Sequence, residues 1–478
     1  MKKILILFFA FALSTFELKA QNDLTLYNME NVFQSTYVNP SAIPVHTVSI
    51  GLPVISSVSG QFTNTGFSYG DLFQRGHYTN DTVRGNIGNA YRKLDSENFL
   101  YLATETDLFH VRVKVRQMYF SLFSQVKMKF RYSYPQNLMN LVLNGNGGAI
   151  NQEISFKNFG ADFDLYRNIG FGIAKEWKHW SLGANLKYIN GIVNINLDPG
   201  KNSGIEFDDQ YFGFKSLSDL NLRSSGFNED FTPVNNYENK EGQSRKAPSS
   251  TIWDMSKNPG AAIDLGATYK PSDKWSYSLS VINMGFINWT SDVVNRKITG
   301  GRDFRGFDAF GYYIRGQNKE DSANVNELKE SFKYSTSTEK YKRYMTPQVY
   351  ATVKYNITYK THLGLTTYFE YYKKLRPAFT FSVYHKFGRV FNIVGTYNIQ
   401  YRTYDNIGLG LMAKVGPCQF YLAGDNLVSP LVRSALDGFK ITHKTIDPLK
   451  TFNLRLGMNL VFGKVHLPSK QTYEYKKN

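Results

Sequence analysis

The sequence holds a single cysteine, Cys418. No intrachain disulfide can brace the chain, and a free structural thiol is the expected role. After the first twenty residues no stretch approaches the ~18 consecutive apolar residues a membrane-crossing helix requires. Acidic side chains are the minority, 39 Asp and Glu against 56 Lys and Arg, for a formal net charge of +17. Also missing are a glycine-rich phosphate loop, HExxH, CxxC and a G-x-S-x-G elbow. His77, His110 and His179 have no neighbours at ligand spacing. No catalytic, metal or cofactor-binding residue is therefore assigned, and an enzyme is not expected. A hydrolase site gathered from separate strands would leave no local motif, so that alternative stays open.

What is present begins with MKKILILFFAFALSTFELKA, residues 1–20. Lys2 and Lys3 precede an apolar run from Ile4 to Leu13, and Leu18-Lys19-Ala20 offers a cleavage site. This is the pattern of a cleaved secretory signal, and the run is short for an uncleaved anchor. Gln21, not cysteine, follows Ala20, which argues against a lipoprotein anchor. Losing Lys2, Lys3, Lys19 and Glu17 leaves +15 of the +17. On an exported chain that charge is not expected to meet nucleic acid. Anionic lipid head groups are the expected partners, or anionic solutes if the charge lines a pore. The mean hydropathy of −0.37 is ordinary, while 15% aromatic residues is high. A transmembrane β-barrel combines these features, because only alternate residues face lipid.

The clearest alternation lies in residues 109–133, FHVRVKVRQMYFSLFSQVKMKFRYS. Phe109, Val111, Val113 and Val115 share one face, with His110, Arg112 and Lys114 on the other. A turn at Arg116-Gln117 would pair Val113 with Phe120 and Val111 with Leu122. Residues 169–191 and 263–285 repeat a hairpin design in which a short polar turn leads to Trp180 or Trp275 and the strand ends at Asn190 or Asn283. Residues 407–427, ending at Asn426, are a looser copy. Trp177, Trp180 and Trp275 cluster at these turns, as an interfacial aromatic girdle would; the alternative is a soluble sandwich core. Further strands are expected at 48–60, 152–165, 347–358, 363–373, 377–387, 389–401 and 451–463, the last closing the sheet. Polar insertions at 68–98, 199–259, 286–345 and 425–450 would be extracellular loops, opposite the short turns. Residues 132–148 break the alternation, and Leu138, Leu141 and Val142 predict a short helix.

The expected fold is all-β: a transmembrane antiparallel barrel of about 14 strands, within a range of 12–16. It would occupy residues 48–463 as one domain, followed by a short basic tail at 464–478.

The segments QNDLTLYNMENVFQSTYVNPSAIP, SIGLPVISSV, FTNTGFSYGDLF, YSYPQNLMNLVLNGNG and LKYINGI resemble a family of outer-membrane proteins of unknown function from Bacteroidota. The resemblance spans nearly the whole chain after residue 20. More distantly, the hairpins ending INMG and GDNL are similar to the long-chain fatty-acid transporter (FadL-like) superfamily, which includes the shuttle barrel of type IX secretion. Neither resemblance supplies functional residues. Together they imply an outer-membrane location in a Gram-negative bacterium and an N-terminal segment, residues 21–47, tucked into the barrel. Asn39-Pro40 and Pro44 would then set a turn-biased path from a plug into the first strand; an ordinary turn is the alternative. Thr82 and Ser322 lie in Asp-Thr-Val and Asp-Ser-Ala, which resemble O-glycosylation acceptors in such bacteria.

If Val111 to Val115 face lipid, then Arg112, Lys114, Lys127, Lys129 and Arg131 face the lumen, since a charge at mid-membrane depth would cost ~2–4 kcal/mol. They would favour anions, or else balance carboxylates such as Glu105 and Asp107. Two functions remain open from the sequence. One is a channel or transporter for small anionic or amphipathic, hydrophobic solutes. The other is a plugged barrel that binds an outer-membrane or periplasmic protein partner in a secretion or gliding-type machinery.

Overall fold

The computed structural model describes residues 23–75, 83–85, 87–144, 150–200, 203–207, 214–227, 254–304, 331–372, 374–388, 390–400, 403–428 and 450–463. Within them fourteen antiparallel strands close into a barrel. β1 comes in two pieces, Val48–Gly51 and Val58–Asn64. It is followed by β2 (Asn98–Val115), β3 (Met118–Tyr134), β4 (Gly160–Glu176), β5 (Trp180–Pro199), β6 (Pro259–Tyr269) and β7 (Trp275–Trp289). Then come β8 (Gln348–Asn356), β9 (Thr361–Tyr372), β10 (Lys374–Phe387), β11 (Phe391–Gln400), β12 (Thr403–Val415), β13 (Cys418–Asp425) and β14 (Thr451–Phe462). Each strand pairs with its sequence neighbours. β14 returns to β1, with Val48 opposite Phe462 and Phe62 opposite Phe452. Closure leaves no unpaired barrel edge.

The β2–β3 hairpin has the expected register, Val113 opposite Phe120 and Val111 opposite Leu122. Its turn is sharpened by Arg116 in the left-handed region, φ 58°. Alternation in this hairpin is interrupted at Leu108, where the pairing slips between Asp107 and Phe109. On the short-turn side of the slip even-numbered residues of β2 face inward; on the long-loop side odd-numbered ones do, so Phe99, Tyr101 and Ala103 are buried. One extra residue reverses the faces of everything beyond it. The same device explains why the repeated hairpins run past the asparagines expected to end them. β5 continues to Pro199 and β7 to Trp289. Asn283 sits at a bulge with φ 60°, its N–H donating to the Asp264 carboxylate at 2.8 Å. Beyond that bulge the inward face of β7 passes to Ile287 and Trp289, both buried.

Two further differences from the sequence expectation are local. The strand expected at 152–165 starts only at Gly160; Glu153–Ser155 is a separate short strand pairing with Gly204–Phe207. A turn at Phe156–Phe159 divides them. The connections after β9 and β11, on the long-loop side, are only one and two residues long. The predicted helix is present at Gln136–Asn144 on that same side, with Leu141 packed on Ile154 and Phe207.

The outer face is an apolar belt, with Val113, Leu122, Leu186, Leu279, Phe381 and Leu456 among its exposed side chains. The inner face is polar and buried, because residues 23–46 fill part of the lumen. They form a helical turn at Leu24–Tyr27 and a 3₁₀ turn at Phe33–Tyr37, both fully buried. This plug-like segment replaces water as the hydrogen-bonding partner of the inward side chains.

Candidate functional site in the barrel lumen

The segment is held at its far end by a dense polar cluster. The first N–H groups of the Leu24–Tyr27 turn have no intrahelical acceptor. Those of Leu24 and Thr25 donate to the Asp425 carboxylate of β13 at 3.3 and 3.0 Å, and the Thr25 hydroxyl donates to it at 2.7 Å. Asp23 accepts from Arg455 of β14 at 2.7 Å and from Asn453 at 3.1 Å. Bonds with a charged partner are worth ~1.5–3 kcal/mol each when well made.

Further along, the segment meets almost every wall. Tyr27 stacks on Tyr350 of β8, ring centroids 4.8 Å apart. The Asn28 side chain lies between Thr366 of β9 and Ser382 of β10. The Gln34 amide donates to the Ser56 carbonyl, to Asp107 and to Asn459 at 3.0–3.2 Å. The Tyr37 hydroxyl donates to Asp107 at 3.0 Å, and Phe33 stacks on His110.

Asn39, Pro40 and Pro44 are all buried. The Asn39 side chain accepts from the Ser41 N–H at 3.1 Å and hydroxyl at 2.7 Å, a local turn that proline then stiffens. Two wall glycines make room for it. A Cβ at Gly183 of β5 would collide with the Pro40 carbonyl, and one at Gly266 of β6 would press on Ser41 N and Asn39 Oδ1. Ser41 then bonds Thr268 and accepts from Ser181. The turn is therefore keyed into the wall.

Near the short turns the contacts change character. Glu30 lies 3.5 Å from Lys354, 3.5 Å from Lys386 and 3.7 Å from His362. Its side chain keeps 38% of its exposure. Burial pushes the Glu30 carboxyl up, but the opposing charges of His362, Lys354 and Lys386 outweigh it and hold the group well below the usual carboxylate range. His46, where the segment leaves the lumen, is pushed down to about 4 by burial and by Lys414. A cavity of about 680 Å³ opens here between the segment and the wall.

Of the basic residues singled out in the sequence, Arg112, Lys127 and Arg131 are buried inside the barrel. Arg112 donates to the Ala42 carbonyl at 3.2 Å and lies over Tyr119, as does Lys114. Lys127 sits 3.3 Å from Glu105, and Arg131 bonds Glu370 at 2.9 Å beneath the Tyr372 ring. Lys129 and Arg131 line a smaller cavity of about 110 Å³ with Asp162, Asp164 and Arg343. Trp177, Trp180 and Trp275 stand outward at the short turns, Trp180 against Tyr269 and Trp275 against Tyr355. Thr82 and Ser322 lie outside the described residues. Sequence reasoning missed Asp23, Glu30, Gln34 and Asp425. No local signal marks them: residues 23–46 are rich in polar side chains throughout, and Asp425 lies at the end of β13, far away in sequence.

These features define a closed transmembrane-type barrel with its own N-terminal segment seated in the lumen. The chain belongs to the family of unknown function DUF5723, whose model matches residues 40–425. A search of curated proteins finds no significant match. Among solved structures it is similar to a Pseudomonas aeruginosa FadL homologue, with 10% identity, TM-score 0.41, and 93% of this chain and 97% of that one covered. The Ralstonia pickettii toluene transporter TbuX gives 8%, 0.40, 93% and 97%. The Pseudomonas putida toluene transporter TodX gives 8%, 0.40, 93% and 98%. At these scores the likeness decides nothing about cargo.

Proposed function

We propose that the protein is an outer-membrane barrel that passes small solutes under the control of residues 23–46. The observation that carries this reading is the seating of that segment. It hydrogen-bonds or ion-pairs with inward side chains of β2, β8, β9, β10, β13 and β14, among others, so it occupies part of the lumen and is tied to much of its wall. The apolar belt and the expected export signal support the outer membrane, with short turns and the three tryptophans at the periplasmic interface and the long connections outside. In this reading Arg112 and Lys114 give the path positive charge that favours small anions, while Lys127, Lys129 and Arg131 stand among Glu105, Asp164 and Glu370 and are largely balanced by them.

A second route is favoured by the break in β1. Between its two pieces the exposed apolar side chains Leu52, Val54 and Ile55 face outward, while Gln34 and Tyr421 hold the Ser56 carbonyl from inside. The break stays tied to both neighbours, Val54 N–H donating to the Asp107 carbonyl at 2.8 Å and Met458 N–H to the Ile55 carbonyl at 2.9 Å, so an amphipathic solute from the bilayer would need this bulge as well as the segment to move. The test is conductance in a planar bilayer under a salt gradient. At neutral pH the full chain is expected to be silent, and a chain lacking residues 23–46 to give stable anion-selective steps. Stable steps from the full chain at neutral pH would refute control by the segment.

A further inference from the structure

The 680 Å³ cavity at the short-turn end carries more positive charge than its own carboxylates neutralise. Lys178, Lys270, Lys354, Lys360 and Lys386 line it against Glu30, Glu176 and Asp273. Lys270 is committed to Glu176 at 3.6 Å, outside the inner end. At the inner end one carboxylate, Glu30, is divided among two ammonium groups and an imidazole, each at 3.5–3.7 Å. These are ion-pair distances rather than short hydrogen bonds. His362 is only 6% exposed, and its Nε2 has no hydrogen-bond partner although it points toward Glu30. The ring is fixed by stacking on Tyr384, centroids 4.5 Å apart. Three side chains thus converge from β8, β9 and β10 on a point where, among the described residues, one carboxylate of the lumenal segment faces them.

We propose that Lys354, His362 and Lys386 form a binding site for a doubly charged oxyanion, phosphate or a phosphomonoester, and that Glu30 is the internal ligand it displaces. A phosphate group presents three acceptor oxygens and up to two charges, which matches the donor set better than one carboxylate does. The outer lysines raise the local concentration of such an ion at the mouth. Because Glu30 remains partly open to solvent, competition does not require the segment to leave first. Displacement removes two ion pairs and the His362 contact from the segment, so occupancy of the site would loosen its hold on the wall. This last step rests on the gating reading; the site itself does not.

The test is calorimetric titration of the folded full chain with inorganic phosphate, and separately with glycerol phosphate, beside bilayer recordings in the same buffers. Binding is expected for at least one probe. It should tighten about tenfold or more in Glu30→Gln, which removes the competitor, and be lost in Lys354→Gln/Lys386→Gln. Tighter binding of glycerol phosphate would assign the site to an esterified solute, and tighter binding of inorganic phosphate to the free ion. No binding of either probe, or binding that ignores both substitutions, would overturn the proposal. Because Glu30→Gln leaves the wall untouched, it keeps the test decisive even if the double lysine variant fails to fold. Binding that follows this pattern while channel opening does not respond would keep the site and refute control by the segment.

Discussion

The lumenal segment is anchored by opposite means at Asp23–Thr25 and at Glu30, nearer the short turns. Around Asp23 and Thr25 the partners are buried, close and directional: Asp425 takes two backbone N–H groups and a hydroxyl, and Arg455 takes Asp23 at 2.7 Å. Around Glu30, itself part-exposed, the partners are farther away, at 3.5–3.7 Å, and held mainly by charge. Hydrogen bonds in a dry lumen are strong and costly to leave unmade, whereas a wet ion pair is weakened by any competing ion. One anchor is built to stay; the other is built to respond.

Breaking the dry anchor should have the larger effect. Asp425→Ala removes the acceptor of two backbone N–H groups, of the Thr25 hydroxyl and of the Asn398 amide, so opening of the barrel should rise at least tenfold in bilayer recordings. Next in size is a steric change at the keyed turn. Gly266→Val would push Ser41 and Asn39 off the wall with no change in charge, raising opening severalfold and exposing residues 39–46 to protease. A smaller effect is expected from Glu30→Gln, which should raise opening a fewfold in low salt and hardly at all in high salt. Equal effects of Glu30→Gln and Asp425→Ala would erase the distinction between the two anchors.

Acidification should give the smallest and most graded effect. His46 has its pKa lowered to about 4 in the folded protein. An unfolded or released segment therefore takes up a proton first, and the hold of the segment weakens as the pH falls from about 6.5 toward 4. Glu30 is also depressed, so its contribution is present above the ordinary carboxylate range and fades only below about 4.5. Opening measured against pH should rise in two stages, and His46→Gln should abolish the first.

The strands were legible because a half-lipid, half-lumen wall enforces period-two alternation, as in Val111, Val113 and Val115. Legibility stopped at each bulge. Leu108 and Asn283 reverse the faces, so the strands outlast the pattern that announces them. Asn39-Pro40 announced a turn, but its seats at Gly183 and Gly266 lie more than a hundred residues away in sequence, and nothing local links them. The Glu30 cluster was illegible for the same reason: alternation says that Lys354, His362 and Lys386 face inward, not that they stand at one depth.

The account turns on one claim, that the position of residues 23–46 decides whether the barrel conducts. The Thr25 and Thr396 hydroxyls are 2.8 Å apart across the gap between segment and β11. Thr25→Cys with Thr396→Cys, in a Cys418→Ser background, would therefore tie the segment to the wall reversibly. Recorded at pH 5, the reduced protein should open and the oxidised one should stay silent, reopening on addition of reductant. Equal conductance in both states would show that solutes pass without the segment moving, and the account would be wrong.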